Sequence, residues 1–195
     1  RSAAVSRLPR QIETDRLRLR IPDAADVPAL NRAIIESHPE LSIWMDWAVS
    51  PQTPEETAEF VSGSETSWQE ETALNLLMVE QETDEIMGAT GYPRLDWVVP
   101  KFEIGYWVRS DRVGKGYASE ATWLLAQHAF EVLGANRVEL RMDDRNRRSW
   151  AVAERLGFSL EATLRQEVRL PDGSLRDTRI YGAVSLAELT PPRRG

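Results

Sequence analysis

Three strand-like runs lie almost end to end in the middle of the chain, at residues 74–81, 85–95 and 101–109. ETDE separates the first two and reads as a hairpin turn; WVVPK bounds the second and third. Connections this short join antiparallel neighbours, so the centre of the chain is expected to be an antiparallel meander. The third run feeds RVGKGYA (112–118), in which two glycines flank a lysine. A helical pattern follows at once. Ala118, Ala121, Leu125, Ala129 and Val132 share one face, and Leu124, His128 and Leu133 widen the stripe. Gly134 stands where a helix C-terminus often places glycine. His128 lies on the apolar edge and reads as a packed histidine.

The flanks extend this pattern. TDRLRLRIP (14–22) alternates Leu17, Leu19 and Ile21 with Arg16, Arg18 and Arg20, the period of a half-buried strand. Asp23 can cap a helix to about residue 37. Residues 37–54 carry three prolines and two tryptophans and read as a loop. Thr53, Pro54 and Glu56 then supply the N-cap, N1 and N3 of a capping box for a helix to about Glu71. Downstream come a strand at 136–142, a short helix capped by Asn146 and ending at Gly157, and two strands around the Pro-Asp-Gly turn at 171–173. The order β-α-α-β-β-β-α-β-α-β-β predicts one α+β domain over 12–187. Its sheet is mixed, mainly antiparallel and flanked by helices. Residues 1–11 and 188–195 read as a disordered lead-in and tail.

Composition removes several chemistries. No cysteine is present, so there are no disulfides, thiol nucleophiles or thiolate metal sites. The two histidines, His38 and His128, stand too far apart for a zinc-hydrolase helix, and no metal is expected. A net charge of −7 argues against nucleic acid and suits a cationic partner such as an amine or a basic peptide. No apolar run approaches membrane-spanning length, and the N-terminal residues lack the apolar core of a secretory signal. No membrane association and a cytoplasmic location are therefore expected.

The glycine loop carries the chemistry. Gly114 and Gly116 let the backbone approach a ligand, and the following helix adds its positive end. A pyrophosphate suits such a cradle; a ligand-free strand-to-helix turn is the alternative. The phosphate loop of nucleotide hydrolases is excluded, because Gly116 rather than Ser or Thr follows Lys115. A dinucleotide fingerprint lacks its third glycine, where Ser119 stands, and its fold would not begin with an antiparallel meander; with Glu139, Asp143 and Asp144 downstream, a dinucleotide-dependent oxidoreductase stays as a distant alternative.

Read together, these motifs resemble those of the GNAT acetyltransferases, and within them the RimJ/RimL-like N-acetyltransferases. The acetyl-CoA loop of that family, Q/R-x-x-G-x-G/A, is similar to Val113-Gly114-Lys115-Gly116-Tyr117-Ala118, with FEIGYWV (102–108) before it and SEA (119–121) after it. A second signature, N-x-x-S with a later G-F, stands as Asn146-Arg147-Arg148-Ser149 and Gly157-Phe158. ETDRLRLR and WMDWA (44–48) also resemble the subfamily. The likeness spans about residues 12–185. There are two departures. Val113 stands where Gln or Arg is usual, with Arg112 one place earlier. Ala153 stands where many relatives carry a tyrosine acid.

The resemblance implies acetyl transfer from acetyl-CoA to a primary amine, by direct attack. The acceptor would be a protein N-terminus of the ribosomal type or a small molecule, and the enzyme a possible homodimer. A non-catalytic acyl-CoA-binding module is the alternative. Glu103 is the implied general base, with an exposed strand carboxylate as the other reading. Glu167 is the backup, displaced by one residue, which would turn it to the other sheet face. Ser149 would sit by the thioester sulfur and Asn146 beside it. Backbone groups of Tyr106, Trp107 and Val108 would hold the pantetheine, and residues 112–118 the pyrophosphate. Arg145, Arg147 and Arg148 are candidates for the 3′-phosphate or for a solvated charge run. Trp44 and Trp47 line the acceptor site or anchor the core.

Overall fold

The computed structural model describes residues 6–193. Its strands form a single eight-stranded sheet in the order β1-β2-β3-β4-β5-β6-β8-β7. They are β1 (Gln11–Glu13), β2 (Leu17–Arg20), β3 (Leu74–Glu80), β4 (Ile86–Asp96), β5 (Lys101–Val108), β6 (Arg137–Asp143), β7 (Ser159–Arg169) and β8 (Leu175–Ala183). The helices are α1 (Val27–Trp44), α2 (Pro54–Glu70), α3 (Tyr117–Glu131) and α4 (Arg147–Arg155). The expected meander β3-β4-β5 is antiparallel throughout. The connection from β5 through α3 to β6 makes the sheet's parallel pair.

Each face of the sheet packs against one helix pair. Phe102, Ile104, Val138, Leu140 and Tyr181 meet Ala121, Leu125 and Ala129 of α3 and Val152 and Leu156 of α4. Leu77, Val79, Ala89 and Trp107 meet Leu30, Ala33, Ile34 and Leu41 of α1 and Val61 of α2. Phe102 is fully buried, which is worth about 1.5–3 kcal/mol relative to exposure. The buried Tyr92 hydroxyl donates to the Leu125 carbonyl at 2.6 Å and ties the sheet to α3.

Two irregularities shape the site. β4 carries an extra residue between Gly91 and Arg94, so Tyr92 and Pro93 oppose Ile104 alone. Proline lacks the N–H that a regular ladder would require, and a bulge bends the strand. At the same level β5 and β6 part. Their pairing covers only Lys101↔Arg137, Phe102↔Val138 and Glu103↔Glu139. Beyond it, residues 104–108 run beside a gap.

Three expectations need correction. Residues 37–44 are helical: α1 runs through Pro39 to Trp44. A proline forfeits one helical bond, but Leu41 continues the buried stripe of Leu30, Ala33 and Ile34. Tertiary packing outweighs the breaker. The lead-in is packed where it is described. Leu8 is buried, its carbonyl accepts from the Trp68 indole at 2.9 Å, and Gln11–Glu13 add an edge strand. The tail is held at its start, because the Thr190 N–H donates to the Leu156 carbonyl at 2.8 Å and Leu189 is buried. Gly157 permits this: its φ is +87°, and a Cβ there would lie 2.8 Å from the Glu188 carbonyl oxygen. Residues 1–5 and 194–195, also part of that expectation, lie outside the described residues.

Candidate active site

The glycine loop forms one wall of an open cleft of about 1790 Å³. Gly114 and Gly116 have φ of +77° and +81°, left-handed values that a side chain strains. At Gly114 a Cβ would meet no protein atom within 4 Å, so the space there belongs to the cleft. Gly116 is the N-cap of α3, and no side chain caps this helix. The N–H groups of Gly114, Lys115 and Gly116 find no acceptor among the described residues. Free N–H groups at a helix N-terminus are an anion site.

The opposite wall is the first turn of α4. The Asn146 side chain accepts from the Ser149 N–H at 3.2 Å, so Asn146 caps the helix and the Ser149 hydroxyl is not needed for that task. It lies instead 3.0 Å from the Tyr106 hydroxyl, which also donates to the Ser149 carbonyl at 3.1 Å. Burial pushes the Tyr106 phenol up to about 12, so it stays a protonated donor at neutral pH. The sequence points to the Tyr106 backbone alone; the structure adds its side chain, through the contact with Ser149, as a candidate. Tyr106 shares the period-two face of Phe102 and Ile104, which hinted at a buried position. Its pairing with Ser149, 43 residues away, is a tertiary fact. Ala153, the position at which the family resemblance implies a tyrosine, is fully buried.

Every expected donor-side residue lines this cleft: Tyr106, Trp107, Val108, the loop from Arg112 to Ala118, Asn146 and Ser149. So does Trp44, brought there by the extra turns of α1. The arginine cluster is largely occupied. Arg145 pairs with Asp143 at 2.7 Å and Arg148 with Glu40 at 3.3 Å, while Arg112 donates to Glu85 at 2.9 Å. His128 does not line the cleft and is half-buried, with burial lowering its pKa.

Glu103, Glu167 and Trp47 lie elsewhere. Alternation along β5 turns Glu103 to the side of Trp107, away from Phe102 and Ile104. Its side chain is 14% exposed. Arg94 stands 3.5 Å away, yet Oε2 has no hydrogen-bond partner. Burial raises its pKa. The Arg94 and Arg141 guanidiniums oppose the rise, and the Glu139 and Glu167 carboxylates add to it. Glu103 is therefore no exposed strand carboxylate. Arg141 binds Glu139 at 3.3 Å and Glu167 at 3.5 Å, which brings three carboxylates into one cluster. The expected facing of Glu167 fails for a local reason. β7 slips register between Leu164 and Val168, and Gln166 adopts φ +52°. The bulge, not the alternation, orients Glu167. Trp47 is 45% exposed, with its ring 6.2 Å from that of Trp107 on the Glu103 side.

The model of the acetyltransferase (GNAT) domain family matches residues 16–159. The chain belongs to the GNAT acetyltransferase family. A putative ribosomal N-acetyltransferase, YdaF, from Bacillus subtilis is 31% identical over 153 residues, covering 77% of this chain and 82% of that protein. Two solved structures are also similar, each 27% identical. RimL, a ribosomal L7/L12 α-N-protein acetyltransferase in complex with coenzyme A, has a TM-score of 0.84 and covers 91% of this chain and 99% of its own. The microcin C7 self-immunity acetyltransferase MccE, in complex with acetyl-CoA and AMP, has a TM-score of 0.83 over 92% and 99%. An N-acetyltransferase built on a mainly antiparallel sheet leaves no place for the dinucleotide reading. Among the described residues, no helix is long and apolar enough to cross a membrane, and no cluster of side chains suits a metal ion.

Proposed function

We propose that this N-acetyltransferase moves the acetyl group of acetyl-CoA to the α-amine of a protein N-terminus, as a cytoplasmic enzyme of the ribosomal-protein-modifying kind. The observation that carries the reading is the parting of β5 and β6. It leaves the β6-facing edge of residues 104–108 without a strand partner, between the glycine loop and the Tyr106–Ser149 pair, while the other edge stays paired with β4. The names of YdaF and RimL support the acceptor class.

The residues divide the work. The free N–H groups of 114–116 hold the pyrophosphate, and the β5 edge holds the pantetheine and polarises the thioester carbonyl. An α-amine has a pKa of about 7.7–8.0 and is largely protonated at neutral pH. Glu103 takes that proton, directly or through water; its unbonded Oε2 and raised pKa suit a base. The amine nitrogen then bonds to the acetyl carbon, the carbon–sulfur bond breaks, and the nitrogen's second proton passes to solvent. Ser149 gives the departing thiolate a proton and regains one from solvent, with its hydroxyl held in place by the Tyr106 hydroxyl. This pair supplies the hydroxyl that Ala153 lacks and removes the main support for a non-catalytic module.

Thiol release from acetyl-CoA, followed over N-terminal peptides and small amines, tests the proposal. Turnover is expected to be highest with peptides. Turnover confined to small amines would replace the acceptor class. Acetyl-CoA binding without turnover on any acceptor would overturn catalysis.

A further inference from the structure

We infer that Arg16, at the entry to β2, is a positioning residue that sets the glycine loop for pyrophosphate. The inference rests on the seating of that pyrophosphate proposed above.

One guanidinium engages three parts of the loop and helix. Nη1 donates to the Lys115 carbonyl at 2.8 Å. Nε and Nη2 lie 2.8 and 2.6 Å from Glu120 Oε2 in the first turn of α3. The plane covers the Tyr117 ring, with Cζ 4.3 Å from its centroid. The partners are themselves held. Thr14 donates to Glu120, the Tyr117 hydroxyl donates to Glu80, and the Gln81 N–H fixes the Arg16 carbonyl at 2.9 Å. A lysine could not reproduce this fork and stack.

The contact with Lys115 has a stereochemical consequence. No peptide bond among the described residues is cis. In a trans peptide the C=O of one residue and the N–H of the next point in opposite directions. Drawing the Lys115 carbonyl toward Arg16 therefore aims the Gly116 N–H away from it. That N–H has no partner among the described residues, and Gly116 lines the cleft. Arg16 thus acts on the ligand through the loop. Its own charge is already matched by Glu120, which brings a carboxylate close to an anion site that would otherwise repel it.

The test compares two donors: acetyl-CoA and S-acetylpantetheine, which lacks the pyrophosphate. In Arg16→Ala the ratio of their kcat/KM values should fall about tenfold, mainly through the KM for acetyl-CoA. Arg16→Lys should recover part of it. Should Arg16→Ala fold poorly, Arg16→Lys and Glu120→Gln carry the test, each lowering the ratio by a few-fold. Equal losses on both donors would reduce Arg16 to fold support, and no loss would exclude it; either overturns the inference. Gly114→Val in the same assay separates the two readings. If it leaves the ratio unchanged, the pyrophosphate is not on the loop. If it collapses the ratio while the Arg16 and Glu120 variants do not, the Arg16 inference alone fails.

Discussion

On the α3–α4 side of the β5–β6 gap, the site is built mainly from backbone, with the Tyr106–Ser149 hydroxyl pair as its side-chain part. Left-handed glycines, an uncapped helix end and an unpaired strand edge line it, and its arginines are mostly spent on protein carboxylates. On the other side it is built from side chains: Glu103, Glu139 and Glu167 around Arg141, with Trp47 against Trp107. Backbone geometry tolerates side-chain change but not a change of φ. A charged cluster tolerates conformational change but not the loss of one member. The first arrangement suits a constant donor, the second an acceptor that varies.

The largest predicted effect falls on the donor side. Gly114→Val or Gly116→Val forces a β-branched residue into left-handed φ, and acetyl-CoA affinity measured by calorimetry should fall by about a hundredfold or more. Val113→Arg, which restores the side chain common among relatives, should leave affinity within about twofold. Sensitivity of the second and tolerance of the first would reverse the comparison.

Glu103→Gln should lower kcat/KM by about 10²–10⁴ at neutral pH, with partial recovery at high pH where the free amine needs no base. The wild-type rate should rise through an acidic limb lying above the usual carboxylate range, and the variant should lose that limb. Stability gives an independent reading. A carboxylate with a raised folded-state pKa keeps its proton longer when folded, so stability falls as pH rises from the unfolded pKa through the folded one. Glu103→Gln should therefore melt higher than wild type at neutral pH. The gap should close below the unfolded carboxylate value of about 4.3. An unchanged profile and no gap would remove Glu103 from the account.

Smaller effects belong to the thiolate side. Ser149→Ala should lower kcat by about tenfold. Tyr106→Phe should lower it by a few-fold, since one neutral hydrogen bond is worth about 0.5–1.5 kcal/mol. If Tyr106 acts through Ser149, the double variant should lose no more than Ser149→Ala alone.

The meander, the glycine loop and the α3 stripe were legible because turn residues and periodicity are local. Four other features depend on tertiary context. Pro39 stays inside α1 because Leu41 has a core to enter. Glu167 faces Arg141 because of a bulge that alternation could not reveal. Tyr106 meets Ser149 only once α4 docks on the sheet. The described parts of the lead-in and tail pack because Leu8 and Leu189 find a core, and neither stretch has a period long enough to signal it.

The most direct test titrates acetyl-CoA into wild type, Gly114→Val and Glu103→Gln side by side. A backbone-built donor site and a side-chain-built acceptor site predict that Gly114→Val loses binding, while Glu103→Gln binds as wild type does and fails to turn over. Glu103→Gln weakening acetyl-CoA as much as Gly114→Val does, or Gly114→Val binding normally, would contradict it.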